Sequence, residues 1–138
     1  MRDVIKFGSI GQFRNFIKTM QYLGWRKINL IGTVKIHGTN SSVGLDLKDN
    51  SLFYQSRNRV LSLDDDNYDF AKYIEDNKSE FLKIFDEIKN KINTEKYDSI
   101  IIYGELAGKG IQNKVAVSQI DRFFAPFSVV GVNKDTVD

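Results

Sequence analysis

The chain has 138 residues, no cysteine, one histidine, and 20 Lys/Arg against 18 Asp/Glu for a formal net charge of +2. One domain with a real core fits that length, and the lack of cysteine excludes disulfides and thiolate metal sites. No apolar run approaches the roughly twenty residues of a bilayer span, and Met1-Arg2-Asp3 opens no signal-peptide core, so a cytoplasmic protein without a membrane partner is expected.

Phe13, Phe16, Ile17, Met20 and Leu23 recur at three- and four-residue spacing, which predicts an amphipathic helix stopped by Gly24. Residues 28–36 are rich in β-branched side chains and predict a strand, interrupted by Gly32. Val43, Leu45 and Leu47 alternate with Gly44, Asp46 and Lys48 as in a half-buried strand. Asp49-Asn50-Ser51 is turn chemistry, and residues 52–56 return as the partner of a hairpin.

An acidic loop over 64–67 leads into a second helical region, where Phe81, Ile84, Phe85, Ile88 and Ile92 keep helical period. Residues 99–103 form a short apolar strand ending in Gly104-Glu105, followed by the loop Gly108-Lys109-Gly110. A last strand is expected over 127–132, just after the only proline, Pro126. Acidic side chains gather at 64–66 and 76–95, so the remainder, with Lys35, Arg57, Arg59, Lys109, Lys114 and Arg122, suits a phosphate-rich ligand. The class is α+β, with antiparallel hairpins and helices packed against them.

Lys35-Ile36-His37-Gly38-Thr39-Asn40 carries the chemistry. It sets one amine at the end of the expected strand over 28–36, followed by a glycine that lets a bulky ligand approach the backbone. That is what a lysine nucleophile needs in order to attack the phosphate of a bound nucleotide.

The run resembles the nucleotidyl-lysine motif of ATP-dependent RNA ligases of the RNA ligase 2 type, in the covalent nucleotidyltransferase superfamily with DNA ligases and capping enzymes. Histidine at position 37 is typical of that branch, whereas many other members of the superfamily carry Asp there. Phe53-Tyr54-Gln55-Ser56-Arg57 resembles the family's second motif, a strand ending in an arginine. Ile101-Ile102-Tyr103-Gly104-Glu105-Leu106-Ala107-Gly108 resembles the third, a strand with a glutamate at its tip. The whole chain, 1–138, then corresponds to the first part of an adenylation domain of ATP-grasp-like ligase fold. The family's last two motifs, a metal-assisting glutamate strand and a paired-lysine strand, have no counterpart in it. Such a truncated domain is expected to be poorly soluble, to dimerise, or to be completed by a second polypeptide.

The resemblance implies ATP and Mg²⁺ as cofactors, RNA with 5′-phosphate and 3′-hydroxyl ends as the partner, and a lysyl-AMP intermediate on Lys35. Ile36, His37, Gly38 and Asn40 would surround the phosphate. Arg57 would present a planar fork of donors to phosphate or ribose, with Arg59 as the alternative. Glu105 would accept from the ribose hydroxyls. Adenine would stack on Phe127, although counting along the strand puts Val130 at the family's usual aromatic position. Val34 stands where relatives often carry Glu, so base specificity comes from the family and not from these residues. No side chain is assigned to a metal. Competing with the ligase are a catalytically incomplete remnant that binds nucleotide or RNA, and a capping-type guanylyltransferase. RNA repair, editing and phage defence all remain open as settings, with a host cytoplasm if the protein is viral.

Overall fold

A computed structural model describes residues 2–133 as two compact units, residues 6–35 and residues 2–5 with 36–133. The smaller unit holds α1 (Phe13–Tyr22). Its end is set as expected: Gly24 takes φ +72°, its N–H reaches Gln21 O at 3.0 Å, and the Trp25 N–H reaches Met20 O at 3.0 Å. This is the paired-bond cap that only a residue tolerant of positive φ closes without strain. The strand expected over 28–36 is not there; those residues have no regular secondary structure. β-Branched residues favour a strand only where a neighbour takes up their N–H and C=O groups, and no described strand pairs with this segment.

In the larger unit β1 (Thr39–Asp46), β2 (Leu52–Ser56), β3 (Val60–Leu61), β4 (Ser99–Ala107) and β5 (Phe123–Val132) form one antiparallel sheet, ordered β3-β2-β1-β4-β5. The β1–β2 turn is built as its residues dictate, with Asn50 at φ 56° and the Asp49 carboxylate accepting the Ser51 N–H at 2.9 Å. β1 starts at Thr39, well before its alternating apolar residues. Asn40, Ser41 and Ser42 carry no hydrophobic signal but are paired to β4, and the two serines to β2 as well.

One face of the sheet bears the core. Val43, Leu45, Tyr54, Ile100, Ile102 and Leu106 pack with Phe70 and Ile74 of α2 (Phe70–Asp76) and Phe81 and Phe85 of α3 (Lys78–Lys89). The helical region expected after the acidic loop is thus two helices, and Ile92, counted in its helical period, lies beyond the second. The break falls at Asn77, whose φ of −113° leaves the helical region and whose side-chain amide bonds Tyr73 O at 2.8 Å. The acidic loop has a local purpose: the Asp66 carboxylate accepts the Ala71 and Lys72 N–H groups at 2.9 and 3.0 Å, satisfying the start of α2.

Across the opposite face runs the N-terminal segment. Arg2 pairs with Asp46 and lies 3.9 Å over the Phe53 ring. The Ile5 N–H donates to Gln55 Oε1 at 3.2 Å, and Ile5 O accepts from Gln55 Nε2 at 2.6 Å and from the Tyr103 hydroxyl at 2.8 Å. Those bonds satisfy a glutamine that is otherwise fully buried.

Burial pushes the Tyr103 hydroxyl up to about 12, with Gln55 pulling weakly the other way. The fold therefore favours the protonated phenol. Its contribution to stability is complete below the ordinary tyrosine value of about 10 and is lost as pH rises towards 12. Denaturant midpoints of the wild-type chain should fall more steeply over that alkaline window than those of Tyr103→Phe.

Candidate active site

β1 is the hub of the candidate site, because it pairs on both sides. Asn40 lies opposite Glu105, and two residues further on Ser42 lies opposite both Gln55 and Tyr103. With a side-chain period of two, Asn40, Ser42, Gln55, Tyr103 and Glu105 share the face turned away from the helices. Ile5 is thus bound one pleat repeat, about 6–7 Å, along the sheet from the Asn40–Glu105 pair. Glu105 is not at the strand tip as expected: β4 continues through Leu106 and Ala107, so the ladder fixes the direction of its side chain.

Gly38 shows what the motif glycine does. It is buried, and a Cβ there would lie 2.1 Å from Leu106 O, so only glycine lets this stretch pack against β4. That close approach is to the protein's own backbone, where the sequence suggested room for a ligand. Both main-chain polar groups of Gly38 are held by side chains. Its N–H donates to Glu105 Oε1 at 3.0 Å, and its carbonyl accepts from Gln112 Nε2 at 3.2 Å.

Gln112 carried no signal in the sequence beyond its place after Gly108-Lys109-Gly110. It is held there because Ile111 is buried in the core and the loop ends are cinched together. Gly108, at φ +119°, leaves no room for a Cβ against Arg122 Cα (2.6 Å), and Arg122 Nε donates to Lys109 O at 2.9 Å.

The two arginines separate clearly. Arg59 is committed to the acidic loop, pairing with the Asp65 carboxylate and donating to Asp66 O at 2.8 Å. Arg57 follows directly on Ser56, whose partner Ser41 is the neighbour of Asn40, and its exposed guanidinium makes no ion pair among the described residues. It leaves β2 at the end of the sheet where Asn40 and Glu105 stand.

Phe127 is placed by a bulge. Tyr103 pairs with Ser128 and Gly104 with Pro126, so Phe127 is the extra residue between them and is 51 % exposed. The bulge on this strand, unpaired along its other edge among the described residues, also explains why Pro126 is tolerated inside β5, which starts at Phe123 and not at 127. Val130 sits opposite Ile101, four residues along β4 from Glu105.

His37 is exposed and Ile36 half-buried, both outside regular structure at the start of the larger unit. Lys35 is the last residue of the smaller unit, exposed and outside any strand. The structure thus brings Gly38, Asn40 and Glu105 together, with Arg57 and Phe127 at the same end of the sheet. Two surface pockets, of about 400 and 200 Å³, are lined by other residues.

No helix among the described residues is long and apolar enough to cross a membrane. No curated protein matches the chain. The RNA ligase family model matches residues 28–137, a span that takes in Lys35, the Gly38 clasp and every strand of the sheet. On that match, which covers well over half of its length, the chain belongs to the RNA ligase family.

Proposed function

We propose that the protein is an ATP-dependent RNA ligase whose first step is transfer of AMP to Lys35. The amine loses a proton to solvent, its Nζ forms a bond to the α-phosphorus of ATP, and the α-phosphorus–oxygen bond to pyrophosphate breaks. AMP then passes to the 5′-phosphate of an RNA end, and a 3′-hydroxyl displaces it as the strand is sealed. The observation that carries this is the Gly38 clasp, which ties the nucleophile's own motif to Glu105 with the Glu105 Oε1 accepting at 3.0 Å.

Each side chain has a task fitted to its chemistry. Asn40 and the second carboxylate oxygen of Glu105 offer polar contacts for phosphate and ribose from one row of the sheet. Arg57 supplies a planar cation with no competing carboxylate. Phe127, turned out by the bulge, offers a flat apolar face to adenine. His37 and the main chain of Ile36 border the phosphate.

Among the described residues no group of three or more His, Cys, Asp or Glu could hold a metal. Mg²⁺ would be held by the nucleotide's phosphates and water, with the Glu105 carboxylate beside Asn40 in the same row of the sheet. There it would offset phosphate charge and favour departure of pyrophosphate.

Incubation with α-labelled ATP and Mg²⁺, then denaturing electrophoresis, tests the first step apart from sealing, for which the 138 residues hold neither late motif. A covalent label from ATP and not from GTP is expected; a GTP label would make it a guanylyltransferase, and no label on a folded chain a nucleotide- or RNA-binding remnant. Arg57→Ala should cut the rate of labelling about 100-fold, the usual cost of removing one preorganised charge donor. Arg59→Ala should leave the rate within a few-fold and loosen only the acidic loop. Single-turnover labelling of both variants distinguishes them.

A further inference from the structure

Apart from Lys35, the charge of the smaller unit has no part in the ligase chemistry. Residues 6–35 contain six cations, Lys6, Arg14, Lys18, Arg26, Lys27 and Lys35, and no Asp or Glu. The rest of the chain has 14 cations against 18 anions, so the positive balance resides wholly in this unit. It holds no carboxylate of its own to pair with them. On α1, Arg14, Lys18 and Tyr22 stand at four-residue spacing and form one exposed row, stepping about 6 Å along the axis. Met20, the one buried side chain of the helix, lies on its other side. Tyr22 is 90 % exposed within the cationic row, and beyond the helix stop Trp25, 61 % exposed, is followed by exposed Arg26 and Lys27.

Cations interleaved with open aromatic rings are what a single strand of nucleic acid needs: the charges follow the phosphates and the rings stack on bases of any sequence. We infer that Arg14, Lys18, Tyr22, Trp25, Arg26 and Lys27 form a binding surface for single-stranded RNA. The surface would hold the strand whose end is to be joined, so the inference rests on the ligase reading for its ligand. Residues 14–27 lie outside the span matched by the family model. An anionic membrane is the competing ligand for a basic amphipathic helix. Tyr22 argues against it, because the most exposed ring lies in the cationic row, away from the apolar side.

The test uses the full chain, a labelled 5′-phosphorylated single-stranded RNA oligonucleotide and fluorescence anisotropy over a salt series. Arg14→Gln with Lys18→Gln should weaken binding at least about 10-fold and lower the log–log salt slope by about 1.4, two single-strand phosphate contacts. Tyr22→Ala should weaken binding with the slope unchanged, and the charge-preserving exchange Arg14→Lys with Lys18→Arg should keep the wild-type affinity and slope that the glutamine variant loses. Circular dichroism verifies the helix in each variant, and Tyr22→Ala with the charge exchange keeps the test alive if the glutamine variant unfolds. Covalent labelling by ATP needs no RNA and should be unchanged in all of them. Equal affinity and slope in folded variants would overturn the inference, as would wild-type binding to phosphatidylserine vesicles but not to RNA. Loss of RNA binding in the variants alongside absent labelling in the wild type would sink the ligase chemistry and leave the surface standing.

Discussion

Alanine at position 38 is expected to cost the chain both stability and adenylation. Its Cβ would lie 2.1 Å from Leu106 O, 2.9 Å from Leu106 C and 3.0 Å from the Ala107 Cβ. Two of those atoms are backbone of β4, a strand laddered to β1 on one side and β5 on the other, so it cannot yield without breaking paired bonds. Overpacking of this kind costs about 3 kcal/mol. For a chain of this size that corresponds to a fall in Tm of roughly 10 °C. The bonds from Gly38 to Glu105 and Gln112 move with the backbone, so labelling by ATP should fall below detection even at temperatures where the variant stays folded. Thermal and urea denaturation measure the first effect, and labelling of the folded variant the second. Wild-type stability in Gly38→Ala would show that the packing of Gly38 against β4 is not tight.

Lys35→Ala should behave in the opposite way. Lys35 is exposed and outside regular structure, so its removal is expected to change stability by no more than about 0.5 kcal/mol. The covalent label should nevertheless vanish, because no other group replaces a missing nucleophile. Lys35→Arg should be equally inactive despite keeping the charge, since a guanidinium does not lose its proton in a protein. Labelling and melting of the two variants together separate chemistry from folding.

The parts of the fold legible in the sequence were those set by local rules. The α1 stop at Gly24, the Asp49–Ser51 turn and the apolar run of β4 each follow from a few neighbouring residues. Contacts between distant residues were not legible. Ile5 meets Gln55 across 50 residues and Tyr103 across 98, and nothing in local composition announces either bond. The missing strand over 28–36 failed for a related reason, since propensity does not supply a pairing partner. In the candidate site, Asn40 and Glu105 were named through the resemblance, and their pairing across β1 and β4 is a matter of register. Gln112 was missed because its role is a single bond to a main-chain carbonyl. The commitment of Arg59 to the acidic loop was not legible either, because its ion pair with Asp65 depends on how the chain turns between them.

The most direct measurement is peptide mapping by mass spectrometry of the chain after reaction with ATP and Mg²⁺. AMP should be found on the peptide containing Lys35, on that lysine alone, and should be removed by added pyrophosphate as the first step runs backwards. AMP on a different lysine, or a folded chain that binds ATP yet carries no adduct, would contradict the account.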